Sequence, residues 1–306
     1  MVSLVKKNPF FRQMTKIAFQ GAMGANSDLA CRAAFPSMET LPCHGFEEVF
    51  KAVREGRADL AMIPVDNTLA GRVADVHHLI PKGGLFIVAE HFEPIRMALV
   101  GLKEAKLSDI RHVSSHVHAL PQCRKIIKKL KLETHAAADT ARAAAAVAEG
   151  GDITHAAIAT PLAAKIYGLK ILQNDVQDSE DNTTRFLIWA REPHLPPADS
   201  KDPLITSFMF RVRNIPAALY KALGGFATNG VNITKLESYI GENFQVAQFL
   251  CDVEGHPERR PLQLALEELD FFAEEVRILG SYPAASFRRQ KKNSGLPPSS
   301  SRRKQG

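Results

Sequence analysis

The sequence predicts a two-part molecule, an α/β domain followed by a smaller α+β domain, and three observations carry that reading. Short apolar runs of strand length alternate with helical stretches from Lys16 to about residue 190, the pattern of helices packed on mostly parallel sheets. A proline-rich polar stretch, Pro193–Pro203, then interrupts the pattern and reads as a linker. Beyond it the elements run strand, helix, strand, strand, helix, strand, the order of a ferredoxin-like sandwich. The chain therefore divides into a leader (1–15), an α/β domain (16–192), a linker (193–203), a second domain (204–283) and a basic tail (284–306).

Lys16–Gln20 is a short buried strand that runs into a turn containing Gly21 and Gly24, then into a helix through Ala34. Strand, glycine turn and helix N-terminus suit an anion, because unpaired N–H groups and the helix dipole face the ligand. The same residues also make an ordinary turn with Ser27 as cap. Phe46–Glu55 places Phe46, Val49, Phe50 and Val53 on one helical face. Ala58–Val65 is a buried strand ending in the polar loop Asp66-Asn67-Thr68. Ligands in open α/β sheets bind at such strand ends; Asn67 and Thr68 fit substrate binding and helix capping equally well. Leu85–Glu90 and Ile95–Leu102 read as strands, and Val113–His116 as a strand ending in Ser115, a third hydroxyl at a strand end. Helices are expected over Leu120–Leu130 and Ala136–Ala148. His155–Thr160 is a buried strand with Pro161 opening a helix, and Leu169–Leu172 follows. In the second domain the strands are Ser207–Arg213, Ile233–Ile240, Gln245–Val253 and Val276–Tyr282, and the helices Ala217–Thr228 and Leu262–Ala273.

The net charge of +6 suggests a polyanionic partner until its location is considered. The leader through Lys16 contributes +4 and the tail +7, so Ile17–Pro283 carries −5 and gives no reason to expect nucleic acid. The tail has the composition of a solubilising extension that cannot bury enough apolar surface to order itself. Cys31, Cys43, Cys123 and Cys251 form no C-x-x-C pair, which points to a reducing cytoplasm and away from a disulfide framework or a zinc ribbon. The adjacent His77 and His78 point to different sides of a helix, and His116 and His118 lack a nearby carboxylate or thiol, so no metal and no cofactor are expected. No apolar run reaches membrane-spanning length, and the leader lacks a signal-peptide core.

The stretch with the most chemistry is Asn182-Thr183-Thr184-Arg185-Phe186, set before the apolar strand Leu187-Ile188-Trp189-Ala190. Arg suits a carboxylate, Thr offers a donor–acceptor hydroxyl and Phe a dry wall. Together with Ala18-Phe19-Gln20-Gly21 and Gly24, with Pro64-Val65-Asp66-Asn67-Thr68 and Gly71, and with Ser115-His116 and Gln122-Cys123, this pentad resembles the prephenate dehydratase family over roughly Lys16 to Arg191. Asp66 stands where the family usually has Glu. The segments Asn214–Leu219, Gly230–Ser238 and Asp252–His256 resemble the ACT regulatory domain appended to such enzymes, with Ala217 replacing a usual Gly and Tyr239-Ile240 a usual Arg-Pro.

The resemblance implies two lobes like those of type II periplasmic binding proteins, with the active site in the cleft between them. It implies conversion of prephenate to phenylpyruvate, water and carbon dioxide. Thr184 would then assist the leaving hydroxyl, Arg185 hold a carboxylate and Phe186 exclude water. Asn67, Thr68, Ser115, Asn182, Thr183 and Gly21 would contact substrate. L-Phenylalanine would inhibit by binding near Ala217, Ala218, Leu219, Asn232, Glu237 and Ser238, in a homodimer or homotetramer. The leader is too short for a preceding chorismate mutase region, so a monofunctional enzyme is expected. Arogenate as substrate and a noncatalytic amino-acid sensor are the rival readings.

Overall fold

The computed structural model describes residues 9–213, 215–240 and 246–288. The first part of the expected leader (1–8), Asn214, the expected strand start at Gln245 and the tail from 289 lie outside the described residues.

The first lobe is built on a sheet of β1 (Lys16–Gln20), β2 (Glu39–Cys43), β3 (Leu60–Asn67), β5 (Phe86–Pro94) and β11 (Thr183–Ala190), in the order β2-β1-β3-β11-β5. The two-residue β4 (Gly71–Arg72) pairs with β3. β1 runs parallel to β2 and β3, whereas β11 is antiparallel to both of its neighbours. Helix α1 (Asn26–Ala34) buries Ala30, Cys31 and Ala34 on one face of the sheet; α2 (Phe46–Arg54) buries Val49, Phe50, Ala52 and Val53 on the other. A short α3 (Ala74–His77) follows β4.

The second lobe is a sheet of β6 (Ala98–Gly101), β7 (His112–His116), β8 (Glu133–Ala137), β9 (His155–Ala159) and β10 (Lys170–Gln173), ordered β10-β6-β9-β7-β8. It is flanked by α4 (Arg124–Leu130), α5 (Thr140–Gly150) and α6 (Pro161–Ile166). The chain leaves the first lobe after β5 and returns as β11, inserted between β3 and β5. Two lobes joined by this double crossing are the architecture of type II periplasmic binding proteins.

The second domain has the predicted βαββαβ order: β12 (Leu204–Val212), α7 (Ala218–Thr228), β13 (Ile233–Ile240), β14 (Val246–Glu254), α8 (Arg260–Phe272) and β15 (Ala273–Pro283), with sheet order β13-β14-β12-β15. Its helices cover one sheet face around Phe208, Phe210 and Phe226. The other face packs on the first lobe, where Ile205, Met209, Leu250 and Leu279 share a core with Ile87, Leu187 and Trp189. The approach is so close that a Cβ at Gly280 would collide with the Ile87 carbonyl.

Several boundaries differ from expectation. Leu120–Leu130 is a 3-10 turn at Leu120–Gln122, containing Pro121, and then α4. Ala136 and Ala137 belong to β8, and α5 begins only at Thr140, where Asp139 caps the helix by accepting from the Arg142 N–H at 2.7 Å. The linker is pinned rather than loose: His256 bonds the Pro196 carbonyl at 2.8 Å, and Arg259 bonds the Ala198 and Ser200 carbonyls. The start of the expected tail is also docked, with Phe287 stacked on Phe92 at 4.7 Å. At the other end Phe11, in the expected leader, is buried against Phe35.

Candidate active site

The two lobes enclose a cleft of about 240 Å³. From the first lobe it is lined by Gln20 and Gly21 at the end of β1, Asn26 and Ser27 at the start of α1, and Asn67 at the end of β3. The second lobe contributes His116, His118, Gln122, Asp139 and Thr140, and the crossing segments contribute Ile95, Met97, Asn182 and Thr184. Gly21 has φ +115, which a side chain rarely adopts.

Thr184 is the first side chain on β11 to face this cleft, and it is held from one side. The Asn67 amide donates to Thr184 Oγ1 at 3.0 Å and to Asn182 Oδ1 at 2.8 Å. Asn67 is itself fixed, since its Oδ1 accepts from the backbone N–H groups of Leu69 and Ala70. Asn67 therefore caps a turn with its oxygen and serves the cleft with its nitrogen. The chain continues across the cleft, with Asn182 donating to Gln122 Oε1 at 2.6 Å and Gln122 donating to the His118 carbonyl. An amide entering Oγ1 uses an acceptor position of the hydroxyl and leaves its proton directed elsewhere. Burial, and then His118, lower the pKa of His116 and favour the neutral ring.

The lobes meet directly at one rim of the cleft. Thr160 donates to the Gly24 carbonyl at 2.5 Å and Tyr167 to the Met23 carbonyl at 3.0 Å. Gly24 has φ +88, and a Cβ there would lie 2.8 Å from Ala163 Cα. The Gly24 N–H donates to Asp28, which is buried inside α1; this, and not Ser27, ties down the start of the helix.

A family model for prephenate dehydratase matches residues 17–194. The chain belongs to the prephenate dehydratase family. It is 52% identical over 276 residues to a bifunctional N-acyl-homoserine lactone acylase/prephenate dehydratase of Komagataeibacter europaeus, a match spanning 90% of this chain and 98% of that one. It is 39% identical to arogenate dehydratase/prephenate dehydratase 1 of Arabidopsis thaliana, over 88% of this chain and 72% of the plant protein. The crystal structure of an Arthrobacter aurescens prephenate dehydratase in complex with L-Phe superposes with a TM-score of 0.80 at 28% identity, covering 92% of this chain and 97% of that one.

Within this prephenate dehydratase fold the Thr-Arg-Phe element divides between two places. Arg185 was expected to hold a substrate carboxylate, but it points away from the cleft and is 6% exposed. Its Nε donates to Glu90 at 3.0 Å, Nη1 to Asp252 at 2.6 Å and Nη2 to the Tyr282 hydroxyl at 3.1 Å. Neighbouring side chains on a strand face opposite sides, so Thr184 faces the cleft while Arg185 joins the first lobe to β14 and β15. Around it Arg288 binds Glu90, and Lys235 bridges Asp66 and Glu237. Burial opposes the charge on both Asp252 and Arg185. Their mutual attraction outweighs it, holding the Asp252 carboxyl below its ordinary range and Arg185 firmly protonated.

Phe186, expected to wall the site, is buried among Phe19, Met62 and Ile188 in the first-lobe core. Ser115 is fully buried and donates to the Ile158 carbonyl at 2.6 Å, so its hydroxyl joins two strands and does not reach the cleft. Thr68 and Thr183 bond each other's backbones and line the joint with the second domain. The sequence offers His116 and His118 only as metal ligands without a partner, yet both line the cleft, His116 at the strand end that Ser115-His116 marks.

The expected regulatory residues do not gather within one chain. Ala217, Ala218 and Leu219 sit at the start of α7, and Asn232 lies beyond its far end, roughly 16 Å away for eleven helical residues. Glu237 and Ser238 lie on the edge strand β13, Glu237 facing the joint with Lys235.

Proposed function

We propose that this chain catalyses the decarboxylating dehydration of prephenate to phenylpyruvate, with Thr184 assisting departure of the ring hydroxyl. The observation that carries this reading is the Asn67-to-Thr184 hydrogen bond, which occupies an acceptor position of Oγ1 in the lining of the cleft and leaves the hydroxyl proton free to donate. In the reaction the bond from the ring to its carboxylate breaks and releases carbon dioxide. Those electrons pass through the diene and expel the C4 oxygen, which leaves as water after gaining a proton. Aromatisation drives the step, so the protein has mainly to hold the anion and polarise the leaving group. A positioned proton donor contributes about 10²–10⁴-fold. With Arg185 engaged elsewhere, the start of α1, with Asn26 and Ser27 facing the cleft, is the feature suited to a substrate carboxylate.

In this reading the second domain is an ACT domain through which phenylalanine inhibits the enzyme. Support comes from the Arthrobacter relative, whose structure contains L-Phe, and from the separation of Ala217 and Asn232, which a second copy of the chain would bridge in a homodimer or homotetramer. The test is phenylpyruvate formation from prephenate, followed by absorbance in alkali, with and without phenylalanine and with arogenate as a parallel substrate. Turnover of prephenate that phenylalanine suppresses supports both halves of the reading. Turnover of arogenate alone reassigns the substrate, and turnover of neither sinks the dehydratase assignment.

A further inference from the structure

Away from the cleft, at the opposite end of the second-lobe sheet, three adjacent parallel strands bring together His112 on β7, Glu133 and His135 on β8, and His155 on β9. The register sets His112 opposite both Glu133 and His155. His112 Nδ1 lies 3.3 Å from His135 Nε2 and 3.4 Å from Glu133 Oε2, and His135 Nε2 is 3.9 Å from Glu133 Oε1. We propose that His112, Glu133 and His135 form a zinc-binding site on the second lobe, independent of the dehydratase chemistry.

The distances are the argument. Ligands about 2.0–2.1 Å from a tetrahedral zinc ion stand roughly 3.3 Å from one another, and two of the three separations already match. Two imidazole nitrogens facing each other at 3.3 Å share at most one proton, whereas a cation between them satisfies both lone pairs. Two nitrogens and one carboxylate oxygen form the donor set of an open zinc site, leaving a fourth position for water. The surroundings suit a cation. Ser114 Oγ bonds His155 Nε2 at 2.7 Å and holds that ring 5.4 Å from His135 and 5.8 Å from His112. Asp152 adds a negative charge beside His155 and His112, its carboxyl held below the usual range by two hydrogen bonds from Thr154. Two of the ligands stand two residues apart on β8 and the third, His112, on β7, so no familiar motif spacing announces them. Zinc there would clamp β8, the outermost strand of the sheet, to β7.

The site lies about 13 Å from the cleft, the length of β7 from His112 to His116, so its variants leave turnover unchanged. The experiment strips tag-free full-length protein with a chelator and titrates it with zinc chloride against a chromophoric competitor, alongside His135→Ala, Glu133→Gln and His118→Ala. The expected result is one equivalent of zinc on the wild type and on His118→Ala, with affinity at least about 10–100-fold weaker in the first two variants, as large as the loss of an outer-shell partner causes. Thermal unfolding should rise with zinc for the wild type and not for Glu133→Gln. No zinc held against the competitor overturns the proposal, as does zinc binding indifferent to His135→Ala or lost instead in His118→Ala.

Discussion

Two residues matter most at the smallest scale, one for the proposed chemistry and one for backbone strain. Thr184 reaches the cleft with its acceptor side already occupied by Asn67, so its removal should affect the chemical step and little else. Thr184→Ala is expected to lower kcat about 10²–10⁴-fold with an unchanged melting temperature; activity within a few-fold of wild type would remove the hydroxyl from the mechanism. Ala217 is the other. It has φ +60, one of three non-glycine residues in the left-handed region among those described, and it stands where the resemblance expects glycine. The left-handed conformation costs a residue with a Cβ about 1–2 kcal/mol. Ala217→Gly should therefore raise stability by about 1 kcal/mol, offset in part by the greater freedom of glycine in the unfolded chain, and chemical denaturation measures the difference. The departure from the family pattern was visible in the sequence. Its conformational cost was not, because the sequence does not reveal that the backbone keeps the glycine conformation after the glycine has gone.

At the scale of the element, β11 is the decisive strand, and its buried ion pairs should dominate the acid sensitivity of the fold. Asp252 is buried and its folded pKa lies below the ordinary 3.8. Its stabilisation is therefore complete above the unfolded value and is lost as pH falls through the lower folded value. Asp252→Asn leaves Arg185 short of a partner in a buried place, and breaking such a pair costs about 3–5 kcal/mol. Since Glu90 remains, the low end is expected. Urea unfolding between pH 2 and pH 7 should show wild-type stability falling away at the acid end of that range, with a flatter curve for Asp252→Asn, about on the scale of one carboxylate's linkage. The elements themselves were largely legible: the apolar runs of β1, β3, β9, β11 and the whole βαββαβ order carry buried faces that the sequence shows directly. β2 and β8 were missed because edge strands need no apolar run; β8 is mostly exposed and β2 contains Pro42. The direction of Arg185 was illegible for a different reason. A guanidinium suits a substrate carboxylate and a buried aspartate equally, and only the fold of the second domain, whose Asp252 lies 67 residues away, decides between them.

At the scale of the whole molecule, the first lobe and the second domain are one packed body. Leu279 and Met209 share a core with Trp189, and Gly280 allows β15 to lie against β5 with no room for a side chain. Gly280→Ala should loosen that seam, at the roughly 1–3 kcal/mol typical of overpacking. Limited proteolysis would show it as faster cleavage near Pro193–Pro203 than in the wild type, and equal rates would mean that the seam accommodates a methyl group. The contact between the lobes is slighter, resting at the Gly24 rim on hydrogen bonds from Thr160 and Tyr167, which contribute about 1 kcal/mol each. Gly24→Val forces a Cβ against the Ala163 backbone and should raise KM for substrate more than it lowers kcat.

The back-to-back placement of Thr184 and Arg185 also bears on how mutagenesis of this motif is to be read. An inactive Arg185 variant would be the natural outcome for a residue that binds substrate. It is equally the outcome for one that seats the second domain, because the two side chains share a single peptide bond. Kinetics of such a variant acquire meaning only beside a measurement of domain docking, and a variant at Asp252, which lies beyond the reach of any substrate in the cleft, supplies the reference.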